Sequence, residues 1–187
     1  MARMMSAGID VVAFLKEQHE QIKELFARVK AAEGKAKEEA FFSLRRLLAV
    51  HETAEEEIVH PAARRALPDG DSVIDARLQE ENKAKKVLSK LEAVDIDSPE
   101  FKTEFELLER NVLMHANAEE REEFDRLGSV LDAERLEKMR TAAEFAEKTA
   151  PTRPHPGVES PAANLLMGPF ASMVDRARDA ISGKNPS

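Results

Sequence analysis

The 187-residue chain contains no Cys, no Trp and no Tyr. Disulfides, thiolate metal sites, thiol nucleophiles and tyrosyl radicals are therefore excluded together. Nowhere is there an apolar run of about 18 residues, the length of a membrane span. The start, MARMMSAGIDVVAFLKEQHE, lacks a long uncharged segment followed by a cleavage site, so the sequence predicts a soluble cytoplasmic protein with no membrane partner. Basic residues are in deficit, 28 Lys and Arg against 36 Asp and Glu, for a net charge of −8. A phosphate backbone would be repelled, and nucleic acid is not an expected partner. Chemistry, if any, must run on His, carboxylates, hydroxyls or a bound cofactor.

Gly and Pro are also sparse before residue 150, and the residues between them are rich in strong helix formers. Apolar positions recur at steps of three and four in five segments. The first spans about 10–32, with Val12, Leu15, Ile22, Phe26 and Val29, and ends at Gly34. The second spans about 37–66, with Phe41, Leu44, Leu48, Ile58 and Ala62, closed by Pro68 and Gly70. The third, about 72–93, carries Ile74, Leu78, Leu88 and Leu91. Asp97, Ser98 and Pro99 open a fourth, through about 127, with Phe101, Phe105, Leu108 and Val112. A fifth covers about 132–148. The expected fold is all-α: an antiparallel up-down-up-down four-helix bundle with the fifth helix packed outside. Residues 1–148 make this domain. Residues 149–187 form a Pro-rich linker holding His155, then a short amphipathic segment with Phe170, Val174, Ala177 and Ile181 that offers a docking face to the bundle or to a second copy in a homodimer.

Each stripe is interrupted by polar residues at inward slots. The first helix places His19 there, the second His51 and Glu55, the third Glu81, and the fourth His115 and Glu119. Three unpaired carboxylates in one core would cost several kcal/mol apiece unless a positive charge sat between them. Residues four apart on a helix differ by about 40° and about 6 Å, so His51 with Glu55, and His115 with Glu119, can each aim a nitrogen and an oxygen at one ion or at adjacent ions. Mixed imidazole and carboxylate ligands suit iron or manganese better than structural zinc or calcium. Six are too many for one ordinary zinc and fit two octahedral irons if Glu55 and Glu119 bridge, with positions left for an oxo or hydroxo bridge and a small ligand.

One His-x-x-x-Glu pair is expected by chance at this composition; two pairs at inward slots are not. LKEQHEQIKELF around His19, HETAEEEIVHP from His51 to Pro61 and HANAEEREEF from His115 to Phe124 resemble the hemerythrin-like (HHE cation-binding) family over about residues 9–127. EENKAKKVLSKLE matches the family's third helix more loosely. The resemblance implies a non-haem di-iron site that binds or processes O2, H2O2 or NO, with His19, His51 and His115 as terminal ligands and Glu55 and Glu119 as bridges. It favours iron over manganese. The family's third helix supplies a His where this chain has Glu81, so Glu81 is assigned as sixth ligand, with Glu80 as the alternative one register away. A hard anionic donor favours Fe(III), which points to consumption of O2 or peroxide over reversible carriage. The competing readings are O2 or NO sensing or scavenging, iron storage, and a metal-free helical interaction protein with a hydrogen-bonded polar core.

The remaining polar residues are expected to be ordinary. Glu52, Glu56, Glu57, Glu120, Glu122 and Glu123 fall off the inward stripes and read as a solvated face, with a bond to a ligand His open to one of them. Lys and Arg between Lys83 and Lys90 read as a wet helix face. His60 lies nine residues beyond His51, about 180° around an ideal helix, and reads as a surface or interhelix residue rather than a proton shuttle. Phe14, Phe26, Phe42 and Phe124 are assigned to core packing.

Overall fold

The computed structural model describes residues 9–149, and the His155 linker and the amphipathic segment expected to dock on the bundle or a second copy lie outside them. Among the described residues there is helix and no strand. The elements are α1 (Val11–Ala31), α2 (Gly34–Ala54), α3 (His60–Ala66), α4 (Gly70–Leu91), α5 (Pro99–Glu119), α6 (Asp125–Val130) and α7 (Ala133–Thr149). Two π-helical turns, Glu55–Val59 and Glu120–Phe124, join α2 to α3 and α5 to α6. No described helix is long and apolar enough to cross a membrane.

Local chemistry sets the helix ends. The Asp10 carboxylate accepts from the Ala13 N–H at 2.8 Å and starts α1. Ser98 Oγ accepts from the Phe101 N–H at 3.0 Å, with Pro99 in the first turn of α5. Gly34 takes a φ of +52°, which only glycine adopts freely, and reverses the chain between α1 and α2. α1 lies along α2, α4 along α5, and α7 covers α1, α2 and the first π-turn.

Two apolar clusters fill the interior. One holds Phe26, Phe41, Leu44, Leu88, Phe101, Phe105 and Leu108. The other holds Val11, Leu15, Val59, Ile74, Phe124 and Leu127. Along α1 the sequence passes from Leu15 in one cluster through His19 to Ile22 in the other, and from Val112 in α5 the chain passes through His115 and Glu119 to Phe124 at the end of the second π-turn. The polar slots therefore make a layer between two dry regions. Of the four phenylalanines expected in the core, Phe26 and Phe124 are fully buried, while Phe14 and Phe42 are only partly so.

The unbroken helices expected over 37–66 and through 127 are instead widened at both π-turns. In the first, the His60 N–H reaches back five residues to the Glu55 carbonyl. Pro61 gives the physical reason: it has no N–H for the Glu57 carbonyl and its ring crowds that group, so the helix loosens just before it. In the second, the Asp125 N–H bonds the Glu120 carbonyl, with no proline nearby to announce it. Each extra residue turns the downstream segment by about 100° relative to an ideal helix.

The α3–α4 corner tolerates no side chain at Gly70. A Cβ there would lie 2.6 Å from the Ala63 carbonyl oxygen and 2.7 Å from the Arg64 Cα, both backbone atoms. Gly70→Ala is expected to cost about 2–3 kcal/mol, read as a fall in thermal midpoint on the order of 5–10 °C. An unchanged midpoint would show that the corner can open at no cost.

Candidate metal centre

All six inward residues converge. Donor atoms of His19, His51, Glu55 and Glu119 lie within 4.8 Å of one another, and so do those of Glu55, Glu81, His115 and Glu119. Glu55 and Glu119 belong to both groups, the two positions where bridging was expected. Both are fully buried, as is Glu81 at 1% exposure. His51 Nε2 stands 3.1 Å from Glu55 Oε1, His115 Nε2 3.2 Å from Glu119 Oε2, and His19 Nε2 3.5 Å from the same oxygen.

The three imidazoles share one orientation. His19 Nδ1 pairs with Glu120 Oε1 at 2.8 Å, His51 Nδ1 with the Gln18 side-chain oxygen at 2.7 Å, and His115 Nδ1 with Glu80 Oε2 at 3.0 Å. An acceptor behind Nδ1 fixes that nitrogen as the N–H and leaves Nε2 with a lone pair facing inward. Gln18, Glu80 and Glu120 are thus part of the site's framework, and Glu80 serves behind His115 while Glu81 occupies the inner layer. His19 also stacks on Phe124 at 5.6 Å and meets His51 edge-on at 4.8 Å.

The donors so aimed have nothing to bond. His19 Nε2, His51 Nε2, His115 Nε2, both oxygens of Glu55 and of Glu119, and Glu81 Oε2 are buried without a hydrogen-bond partner. Folding does not leave such a set unsatisfied without return. A pair of donors on one ion at about 2.1 Å can be at most about 4.2 Å apart, and the nitrogen–oxygen separations of 3.1, 3.2 and 3.5 Å fall inside that reach, so this packing of lone pairs fits a cation.

The ionisation of the metal-free site shows the same strain. Burial, opposed by nearby imidazoles, pushes the Glu55 carboxyl up to about 7. Burial and the positive charge of His19 and His115 hold His51 down to about 3. His115 goes the other way: burial lowers it, but Glu119, Glu80, Glu81 and Glu55 outweigh that and carry it up to about 10.

Several residues expected at the surface are buried. His60 is 2% exposed, with Nδ1 2.9 Å from Glu123 Oε1 and Nε2 2.8 Å from Glu81 Oε1. Glu123, Glu52 and Glu56 are likewise inside, at 0%, 8% and 3%. The first π-turn explains His60: the added residue rotates it from the flank to the interior. Glu123 lies four residues beyond Glu119 and so on the same inward face of the helix. Lys85, expected on a wet face, is 4% exposed. Its Nζ pairs with Glu56 and lies 3.6 Å from Glu52 and 3.5 Å from Glu81. Burial and neighbouring acids raise the carboxyls of Glu52 to about 8 and Glu56 to about 7, whereas against its own burial the bond from His60 helps to hold Glu81 down at about 2. Glu57, Glu120 and Glu122 keep partial exposure, as expected of a flank. Pro61, inside a helical pattern, was the one signal that could have turned His60 inward; for Glu123 the signal was its spacing of four from Glu119.

An all-helical scaffold with an imidazole and carboxylate centre between two apolar layers defines a helical cation-binding protein. The hemerythrin HHE cation-binding domain model matches residues 10–127, and the chain belongs to that family as a metal-binding, hemerythrin-like protein. A crystal structure of a hemerythrin HHE cation-binding-domain protein from Mycobacterium kansasii superposes with a TM-score of 0.68 at 19% identity, covering 91% of this chain and 98% of that one. A DNA nickase from Nostoc sp. is 26% identical over 134 residues, 71% of this chain. The chain spans 38% of that relative's length.

Proposed function

We propose that the centre holds two iron ions, ligated by His19, His51, Glu55, Glu81, His115 and Glu119, and that it reacts with O2 or H2O2. The observation that supports this most directly is the sharing of Glu55 and Glu119, with both oxygens of each unpartnered, between two clusters of donors. A pair of iron ions supplies two coupled one-electron changes, enough to reduce a peroxide to water.

The chain's own residues set the conditions. Phe124, fully buried and stacked on His19, shuts one side against water. His115 keeps 11% of its side chain exposed beneath a groove of about 530 Å³ lined by Arg77, Glu80, Lys83, Met114, Arg121 and Glu122. This is the approach for a small ligand. Glu81, held anionic by His60, is a hard donor that favours the ferric state. That bias opposes release of intact O2 and supports consumption. The absence of Tyr and Trp removes aromatic relays, so the electrons come from a substrate or a reductant that reaches the site.

DNA nicking is not carried over from the Nostoc relative. Most of that protein has no counterpart here, and a net charge of −8 opposes a phosphate backbone.

Metal analysis after expression in iron-replete medium is expected to give about two irons per chain, and near-ultraviolet charge-transfer bands unobscured by Trp or Tyr. Stopped-flow mixing of reduced protein with O2, and steady-state peroxide assays with a reductant, are expected to show turnover. A stable, releasable O2 adduct would replace this reading with carriage or sensing, and an iron-free protein would replace it with a purely structural helical domain.

A further inference from the structure

We infer that Glu147, on α7, is a positioning residue of the metal centre: it orients the Gln18 amide so that His51 turns the lone pair of Nε2 toward the ion of the His19, His51, Glu55 and Glu119 group. The inference rests on the two-ion reading above, in which His51 is a ligand. None of the six ligands lies on α7, which covers α1, α2 and the first π-turn from outside.

Three side chains link that outer helix to the centre. Glu147 Oε1 accepts from Gln18 Nε2 at 2.7 Å, and Gln18 Oε1 in turn accepts from His51 Nδ1 at 2.7 Å. Across the ring, His51 Nε2 is buried without a hydrogen-bond partner, 3.1 Å from Glu55 Oε1. Gln18 and His51 are both buried, so protein groups and not bulk water set their orientation.

A primary amide has nearly the same shape at its two ends and opposite chemistry. Burial keeps His51 uncharged at neutral pH, so its ring carries a single proton. Turned one way, Gln18 offers an oxygen, which requires that proton on Nδ1 and leaves Nε2 free for metal. Turned the other way it offers an N–H, which requires a bare Nδ1 and places the proton on Nε2, where the metal has to bind. Nothing within the Gln18–His51 pair chooses between the two. Glu147 chooses, because an ionised carboxylate accepts and does not donate, and it therefore draws the amide nitrogen toward α7. His19 and His115 have carboxylates directly behind Nδ1, from Glu120 and Glu80. His51 has a neutral amide there, and Glu147 supplies the anion one side chain further out. A Glu147 that merely held α7 against the bundle would leave the imidazole proton where it is.

Two variants of the full-length chain reverse and remove the bias. Glu147→Lys puts a donor where the acceptor stood, so the Gln18 oxygen should turn to α7 and the His51 proton should move to Nε2. Glu147→Leu leaves the amide unbiased, with both tautomers populated. Glu144→Lys makes the same change of charge one turn back, where the carboxylate pairs with Arg140, and should alter nothing. The tautomer is read on metal-free protein at neutral pH from proton–nitrogen correlation spectra of the imidazoles, and metal uptake by equilibrium dialysis against Co(II). The wild type is expected to carry the His51 proton on Nδ1 and to bind two Co(II). Glu147→Lys is expected to carry it on Nε2 and to bind one of the two ions about ten- to a hundredfold more weakly. If the wild type binds two Co(II) and either readout is unmoved in Glu147→Lys, the assignment is overturned and the two-ion reading stands. A wild type that takes up no Co(II) would overturn both. Should Glu147→Lys not fold, Glu147→Leu decides: a single Nδ1-protonated form there removes Glu147 from the role.

Discussion

Glu55→Gln is expected to strip the chain of both ions while leaving the metal-free protein as stable as before or more so. The carboxylate is fully buried and belongs to both donor clusters. Its amide counterpart keeps the shape and loses the charge that either cation needs. Bound iron should fall from about two per chain to well under one, measured on purified protein by elemental analysis. His19→Ala removes a donor from the first cluster alone, so its loss should be nearer one ion. The stability effect has the opposite sign. Burial has pushed the Glu55 carboxyl up to about 7, so at pH 8 the metal-free protein carries an ion it would rather protonate. An uncharged residue relieves that cost, as when apolar groups replace a buried charge. Glu57→Gln, two residues along on the half-exposed flank, should change neither quantity. If Glu55→Gln keeps two ions at wild-type affinity, the shared-carboxylate arrangement is wrong. If both metal and fold are lost, Glu55 has a structural role that its unpartnered oxygens do not reveal.

What the sequence disclosed and what it hid have separate physical causes. The stripes through Ile22, Phe26 and Val29 or Phe101, Phe105 and Leu108 repeat at the helical period over several turns, and the burial of every one of them follows from that regularity. His19, His51, Glu55, Glu81, His115 and Glu119 were legible for a related reason: each breaks such a stripe at a slot where a solvated residue has no business. The ideal period then became misleading. It assumes 100° per residue, and both HxxxE pairs are followed at once by a π-turn. The face changes beyond the first of them, which is why His60 was misplaced while Glu55 and Glu119 were not; Glu123, four residues past Glu119, lay on the inward face at the ideal period and was passed over among its acidic neighbours. Lys85 was hidden differently. A lysine among lysines looks solvated, and only the tertiary meeting of α4 with Glu52 and Glu56 makes its burial tolerable. Of the partners behind Nδ1, Glu120 was among the glutamates to which a bond to a ligand His was left open, and it makes one to His19; Gln18 and Glu80 were not foreseen in that role, which depends on which side chain a neighbouring helix presents.

Removing the metal should cost the protein more stability at alkaline than at mildly acidic pH. With free metal about a thousandfold above its Kd, one ion contributes about 4 kcal/mol, so the loaded protein should melt at least about 10 °C above the metal-free one. The pH dependence is set by which protons the metal replaces. Glu55, with a folded pKa raised to about 7, stabilises the metal-free fold below its ordinary value near 4.5, and that contribution is lost as pH rises through 7. It is on the order of 3 kcal/mol. His115, raised to about 10, adds a second loss between about 6.5 and 10. Glu52, raised to about 8, adds a third. His51, lowered to about 3, acts in reverse: its contribution is complete above 6.5 and is lost only as pH falls toward 3. Between 4.5 and 6.5 the slopes oppose one another, and above 6.5 only losses remain. A bound cation takes over the positions of the protons on Glu55 and His115, so the loaded protein escapes most of that decline. The gap in thermal midpoint between loaded and metal-free protein, measured from pH 6 to pH 9, should therefore widen steadily. A gap that stays constant across that range would mean that the metal displaces no protons from these side chains, and the ligand set would have to be sought elsewhere in the fold.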